Sequence, residues 1–176
     1  MSVEQVAAAI ERVSKVLRRK PQAGLHEDTA ATACWSGGLR TSVHSDTGRS
    51  VATDMPTEIG GNDSAMTPGW LVRAGLASCT VTRIAMAAAA EGIALQTLEA
   101  RATTVSDARG VLALPEADGS PVPAGPLEVM LQVRIGAPGV PAERLRALVQ
   151  WTAGCSPVTN AFERALPVAL QVEVEG

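Results

Sequence analysis

TPGWLVRAGLASCTVTRIAMAAAAEG, Thr67 to Gly92, is the stretch on which the fold turns, and it carries Cys79 near its middle. Thr67 suits an N-cap and Pro68 the first helical position, where a missing N–H costs nothing because that donor has no intrahelical partner. An Ala-rich interior favours helix, and Gly92 after Glu91 supplies a stop because glycine tolerates positive φ. The stretch therefore predicts one helix of about seven turns. At helical spacing Val72, Gly75, Leu76, Thr82, Arg83 and Met86 share a face with Cys79. The thiol has apolar neighbours and one cation, which leaves two readings open. Arg83, one turn on, would favour a thiolate, whereas apolar burial would raise the thiol and leave it an inert, small hydrophobe.

Outward from this helix, the totals narrow the class. A chain of 176 residues is most economically one domain, able to bury about 70% of its unfolded surface. With three Trp, one Phe and no Tyr, its core must be filled by aliphatic residues, and stacking platforms for single-stranded nucleic acid are not expected. The net charge of −3 and the lack of a basic face beyond Arg18-Arg19-Lys20 argue against nucleic acid as a partner. The start, MSVEQVAAAIERV, lacks a basic leader followed by an apolar run. Arg73, Arg83 and several hydroxyls break the long apolar stretch, which argues against a membrane span. A cytoplasmic location is the expectation. The three cysteines, at 34, 79 and 155, are too few and too scattered for a disulfide framework. His26 and His44 have no ligand-like spacing, so neither a zinc site nor any other metal is expected.

On the N-terminal side, Val3, Val6, Ala7, Ile10, Val13, Val16 and Leu17 recur at helical intervals, with Ser2 and Gln5 spaced as a capping box. Pro21 and Gly24 close that helix. From Thr29 the pattern becomes TAATACW, LRTSVHS after Gly37-Gly38, and RSVATDM after Asp46 to Gly48, which predicts a three-stranded antiparallel meander. Cys34 reads as an ordinary strand residue. Arg40, just past the glycine pair, is a solvated strand-end charge or a cation aimed by a tight turn at an anion. PTEIGGNDSAM, Pro56 to Met66, is a polar connector whose place beside the long helix makes it a candidate pocket wall.

On the C-terminal side, a strand is expected over Ala94 to about Asp107, then a long hairpin loop, RGVLALPEADGSPVPAGP. Next comes a strand in which Leu127, Val129, Leu131, Val133 and Ile135 alternate with polar positions. Pro141 opens a helix bearing Leu145, Leu148, Val149 and Thr152, ended by Gly154. Ser156-Pro157 opens another that Pro167 stops. A final strand is expected from the alternation of Val168, Leu170, Val172 and Val174. The order of elements is α+β, with the long helix packed across a sheet.

The Gly60-Gly61 loop, Pro68, the helix LVRAGLASC and the later Cys155-Ser156-Pro157-Val158 resemble the OsmC/Ohr family of thiol-dependent peroxidases. The resemblance runs from about Thr29 to Glu175, so residues 1–24 are expected as an N-terminal helical extension and 25–176 as the OsmC-like domain. It implies antiparallel sheets wrapped around the central Cys-bearing helix, in an intertwined homodimer with its active sites at the subunit interface. It further implies a reduction of organic hydroperoxides in which Cys79 is the peroxidatic thiolate and Cys155 the resolving thiol. A small hydrophobic peroxide would be the substrate and an external thiol, typically a dihydrolipoyl group, the reductant; no cofactor is implied. Arg40 is the nearest match to the family's thiolate-stabilising Arg, displaced one residue by Leu39. The family's Glu after the helix-initiating Pro, which holds that Arg, is Gly69 here. Glu58 and Asp63 are the expected substitutes, or Arg83 serves directly. A non-catalytic dimer that binds a small hydrophobic molecule in the same interface pocket is the alternative.

Overall fold

The computed structural model describes residues 2–164 and 166–175. Its first helix, α1 (Val3–Arg19), starts where the capping box places it: Ser2 accepts from the Gln5 N–H while the Gln5 side chain accepts from the Ser2 N–H. Three strands follow, β1 (Ala31–Trp35), β2 (Thr41–Ser45) and β3 (Ser50–Thr53), in an antiparallel meander of that order. The register pairs Cys34 with Ser42 and Thr41 with Thr53. Among the described residues no helix packs broadly against this meander, and all of β1 is exposed.

The long helix α2 (Pro68–Ala90) begins as its sequence dictates, with the Thr67 hydroxyl accepting from the Trp70 N–H. Length and composition alone would let α2 cross a membrane. In the fold, however, α1, β4 (Thr97–Val105), α4 (Ala142–Ala153) and α5 (Pro157–Glu163) pack against it. The core is Ile84, Ala87 and Ala88 of α2 against Ile93, Leu145 and Leu148. Ile84 and Leu148 are almost wholly enclosed. Burying such a side chain contributes about 1.5–3 kcal/mol.

β4 and β5 (Glu128–Gly136) form a second, two-stranded antiparallel sheet. Its inner face is built from the opposed pairs Leu98–Ile135, Ala100–Val133 and Ala102–Leu131. The predicted apolar alternation of β5 outruns its cover: Val129 and the preceding Leu127 are exposed, whereas Leu131, Val133 and Ile135 are partly buried. Between these strands the expected loop holds a short helix, α3 (Ala108–Val111), and an isolated bridge between Pro115 and Pro121. Arg109 pins that loop by bonding both Asp107 and Glu116.

The expected C-terminal strand is not formed. Residues 166–175 belong to no sheet, and Val168, Leu170, Val172 and Val174 are all at least 72% exposed. The alternation is real, but a strand also needs a neighbour to satisfy its backbone N–H and C=O groups, and among the described residues the tail has none. The remainder is the predicted α+β arrangement.

Candidate active site

Cys79 sits at the midpoint of α2, at the edge of the buried face and half-exposed. Leu76, Thr80 and Ile84 carry that buried face, and the Thr80 hydroxyl is spent on the Leu76 carbonyl at 2.8 Å. One described side chain hydrogen-bonds the sulfur. Ser156 Oγ lies 3.4 Å from Cys79 Sγ, across 77 positions of sequence.

Ser156 is placed by the two C-terminal helices. α4 is anchored through Leu145 and Leu148 and ends at Gly154; the N–H groups of Cys155 and Ser156 then donate to the carbonyls of Thr152 and Ala153. Ser156 is the N-cap of α5, its hydroxyl accepting from the Thr159 N–H at 3.4 Å, and Pro157 takes the first helical position. The residue is 1% exposed. Cys155, one position earlier, is exposed, and Cys34, Cys79 and Cys155 are all free thiols. The side chain that hydrogen-bonds the candidate nucleophile is thus that of Ser156, and Cys155 is not disulfide-bonded to it.

Neither cation expected beside Cys79 hydrogen-bonds its sulfur. Arg83 directs Nη1 to Met86 Sδ at 3.8 Å, and its buried Nε–H has no partner among the described residues. Arg40 donates from Nη1 to Ser64 Oγ at 2.6 Å. Ser64 lines a cleft with Thr67, Trp70 and Arg73 at the start of α2, whereas Cys79 is six residues, about 9 Å along the axis, beyond Arg73. A single chain therefore brings Cys79 and Ser156 together, and gives Arg40 no hydrogen bond to that sulfur.

The residues expected to hold Arg40 do not bond it within this chain. Glu58, in a short 3-10 turn, and Asp63 are exposed, and neither bonds Arg40. Asp54 does the work through Ser64. Fully buried, it accepts from the N–H groups of Met55, Asn62 and Ser64 and, at 2.7 Å, from the Ser64 hydroxyl. These bonds, the Ser64 hydroxyl first and the Met55 N–H next, hold its carboxyl below the ordinary carboxylate value. Gly60 and Gly61 make the enclosing loop possible. Gly60 has φ 90°, and a Cβ on Gly61 would stand 1.8 Å from the Met55 carbonyl oxygen. Nothing local in the sequence flags Asp54, because its donors lie up to ten residues further on. At Gly69, where the family's carboxylate is absent, a Cβ would face Arg73 Nη1 at 3.8 Å; Arg73 itself donates to Thr104 Oγ1.

Among the described residues no group of three or more His, Cys, Asp or Glu side chains is gathered as a metal site. What the centre offers is a partly exposed thiol with a buried hydroxyl on its sulfur, a donor that can stabilise negative charge there.

A family model described as OsmC-like protein matches residues 60–171, which include both Cys79 and Cys155. Solved structures share the fold. An organic hydroperoxide resistance protein OsmC from Legionella pneumophila is 24% identical, with 78% of this chain and 90% of that one covered and a TM-score of 0.56. An OsmC-like protein from Mycoplasma pneumoniae is 18% identical, covering 80% and 89%, with a TM-score of 0.60. An organic hydroperoxide resistance protein from Elizabethkingia anophelis is 21% identical, covering 78% and 89%, with a TM-score of 0.53. No curated protein sequence matches the chain.

Proposed function

We propose, from the premise that this chain belongs to the OsmC-like protein family, that it is a thiol-dependent peroxidase for organic hydroperoxides. The Cys79 thiolate attacks the distal oxygen of R–O–O–H; the O–O bond breaks, the alkoxide takes a proton and leaves as alcohol, and Cys79 becomes a sulfenic acid. Cys155 then condenses with it, releasing water and leaving a disulfide. An external dithiol of the dihydrolipoyl class reduces that bond by exchange and departs as its own disulfide. The observation that carries this reading is the Ser156–Cys79 contact, which puts a proton donor on the sulfur and the Cys155 turn beside it. Bridging requires that turn to shift, since Cys155 is exposed and Ser156 now stands at the sulfur.

A homodimer completes the reading. The meander and the tail from 166 to 175 present apolar, unpaired surface, as a second copy would cover. Arg40 spends Nη1 on Ser64 beside the start of its own α2, and its other guanidinium N–H groups are the ones that would serve the Cys79 of that copy. The free thiols fit a reducing, cytoplasmic setting.

The test is consumption of cumene hydroperoxide with dihydrolipoamide. The parent turns over, Cys79→Ser does not, and Cys155→Ser stalls with a sulfenic acid that dimedone traps. A parent no faster than Cys79→Ser overturns the peroxidase. The second reading, a dimer that only binds a small hydrophobic molecule, draws on an apolar cleft of about 480 Å³ between α1 and α2, walled by Val6, Met86, Ile93 and Leu95.

A further inference from the structure

We infer that Ser156 is a catalytic residue of the Cys79 centre, its hydroxyl donating to Sγ so that the thiolate is favoured over the thiol. The inference rests on the reading that Cys79 is the reacting sulfur, and its argument is one of proton accounting. The Ser156 oxygen accepts from the Thr159 N–H, and a backbone N–H can only donate. The hydroxyl proton is therefore left for another acceptor. Ser156 is 1% exposed, so bulk water does not take it, and the acceptor within reach among the described residues is Cys79 Sγ. A neutral thiol is a weak acceptor and a thiolate a strong one, so a donor fixed at this point lowers the free energy of the charged form more than that of the neutral form.

The donor is also pre-positioned. Ser156 is held from one side by the end of α4 and from the other by its own capping bond to α5, so aiming the hydroxyl needs no rearrangement when charge appears on sulfur. Neither Arg40 nor Arg83 hydrogen-bonds this sulfur in the chain, which leaves the hydroxyl as its polar partner.

The experiment is an ultraviolet titration of the thiolate in a Cys34→Ser/Cys155→Ser background, where Cys79 is the sole thiol. The chain has no Tyr, so no tyrosinate absorbance overlaps the signal. Ser156→Ala is expected to move the midpoint up by about one pH unit, equivalent to about a tenfold smaller thiolate population below it, and Ser156→Thr to restore the midpoint. Ser156→Gly guards against loss of the helix start, because glycine at an N-cap keeps all but a few tenths of a kcal/mol of cap stability while removing the hydroxyl. Midpoints unchanged in Ser156→Gly and Ser156→Ala would reduce Ser156 to a helix cap and overturn the inference. The titration contains no peroxide. A parent that consumes no hydroperoxide, yet shows the shift, would refute the peroxidase and leave the donor role standing.

Discussion

Ser64 Oγ gives its proton to the buried Asp54 carboxylate at 2.7 Å, and the same oxygen accepts from Arg40 at 2.6 Å. One hydroxyl thereby links a carboxylate that water does not reach to a guanidinium at the start of α2, in place of the carboxylate missing at Gly69. Arg40 is oriented by a relay, not by an ion pair.

Asp54→Ala strands the Met55, Asn62 and Ser64 N–H groups without their acceptor, and the melting temperature is expected to fall by about 5–10 °C. Because the folded-state pKa lies below the ordinary 3.8, the stability that Asp54 supplies is complete above that value and is lost as pH falls through the folded value. Melting curves from pH 5 downward check this: the parent should lose stability below about pH 4 more steeply than Asp54→Asn. Parallel slopes would remove Asp54 from the acid response.

Gly69→Glu should stabilise the chain. A Cβ there meets only ordinary contacts, Arg73 Nη1 at 3.8 Å and Thr67 Oγ1 at 4.0 Å, and a carboxylate four residues before Arg73 in the first turn of α2 suits both pairing and the helix dipole. Chemical denaturation is expected to show a gain of about 0.5–1 kcal/mol, including the helix propensity recovered over glycine. A loss would mean that Arg73 does not reach the new side chain.

Gly61→Ala is expected to lower the melting temperature by several degrees, because the new methyl would overlap the Met55 carbonyl and force open the loop that encloses Asp54. Gly75→Ala, where a Cβ meets open space in mid-helix, is the matched control and should be neutral or stabilising. Equal melting points for the two variants would show that the loop tolerates the methyl.

Ser156→Cys in a Cys155→Ser background should form a disulfide with Cys79 on mild oxidation, since position 156 already places its side-chain atom 3.4 Å from the sulfur. Titration of the denatured protein should find a single thiol, that of Cys34. Three remaining thiols would place the two side chains out of bonding range.

If the chain forms the proposed homodimer, removal of residues 167–176 is expected to leave monomers in sedimentation analysis, because it deletes the extended apolar edge left unpaired within one chain. A truncated chain that sediments as the same oligomer as the parent would assign the tail another role.

Much of this molecule is written locally. The α2 boundaries follow from Thr67, Pro68 and Gly92, the α1 start from Ser2 and Gln5, and the meander from its glycine turns, because caps and turns are decided by neighbours within four residues. The last strand misleads because periodicity records which faces are apolar and not whether a pairing edge exists. Cys79 stands out by its helix. Ser156 reads as a cap, and its contact with sulfur depends on how α4 and α5 return to α2. Asp54 and Ser64 are illegible in the string, since a lone Asp after a strand announces nothing about backbone donors brought round by a glycine loop.

The shared oxygen of Ser156 has a mechanical corollary. An oxidised sulfur that pushed this hydroxyl aside would uncap the seven-residue helix behind it. Over-oxidation on one helix would then register as fraying on another, visible as faster deuterium uptake at the Thr159 amide.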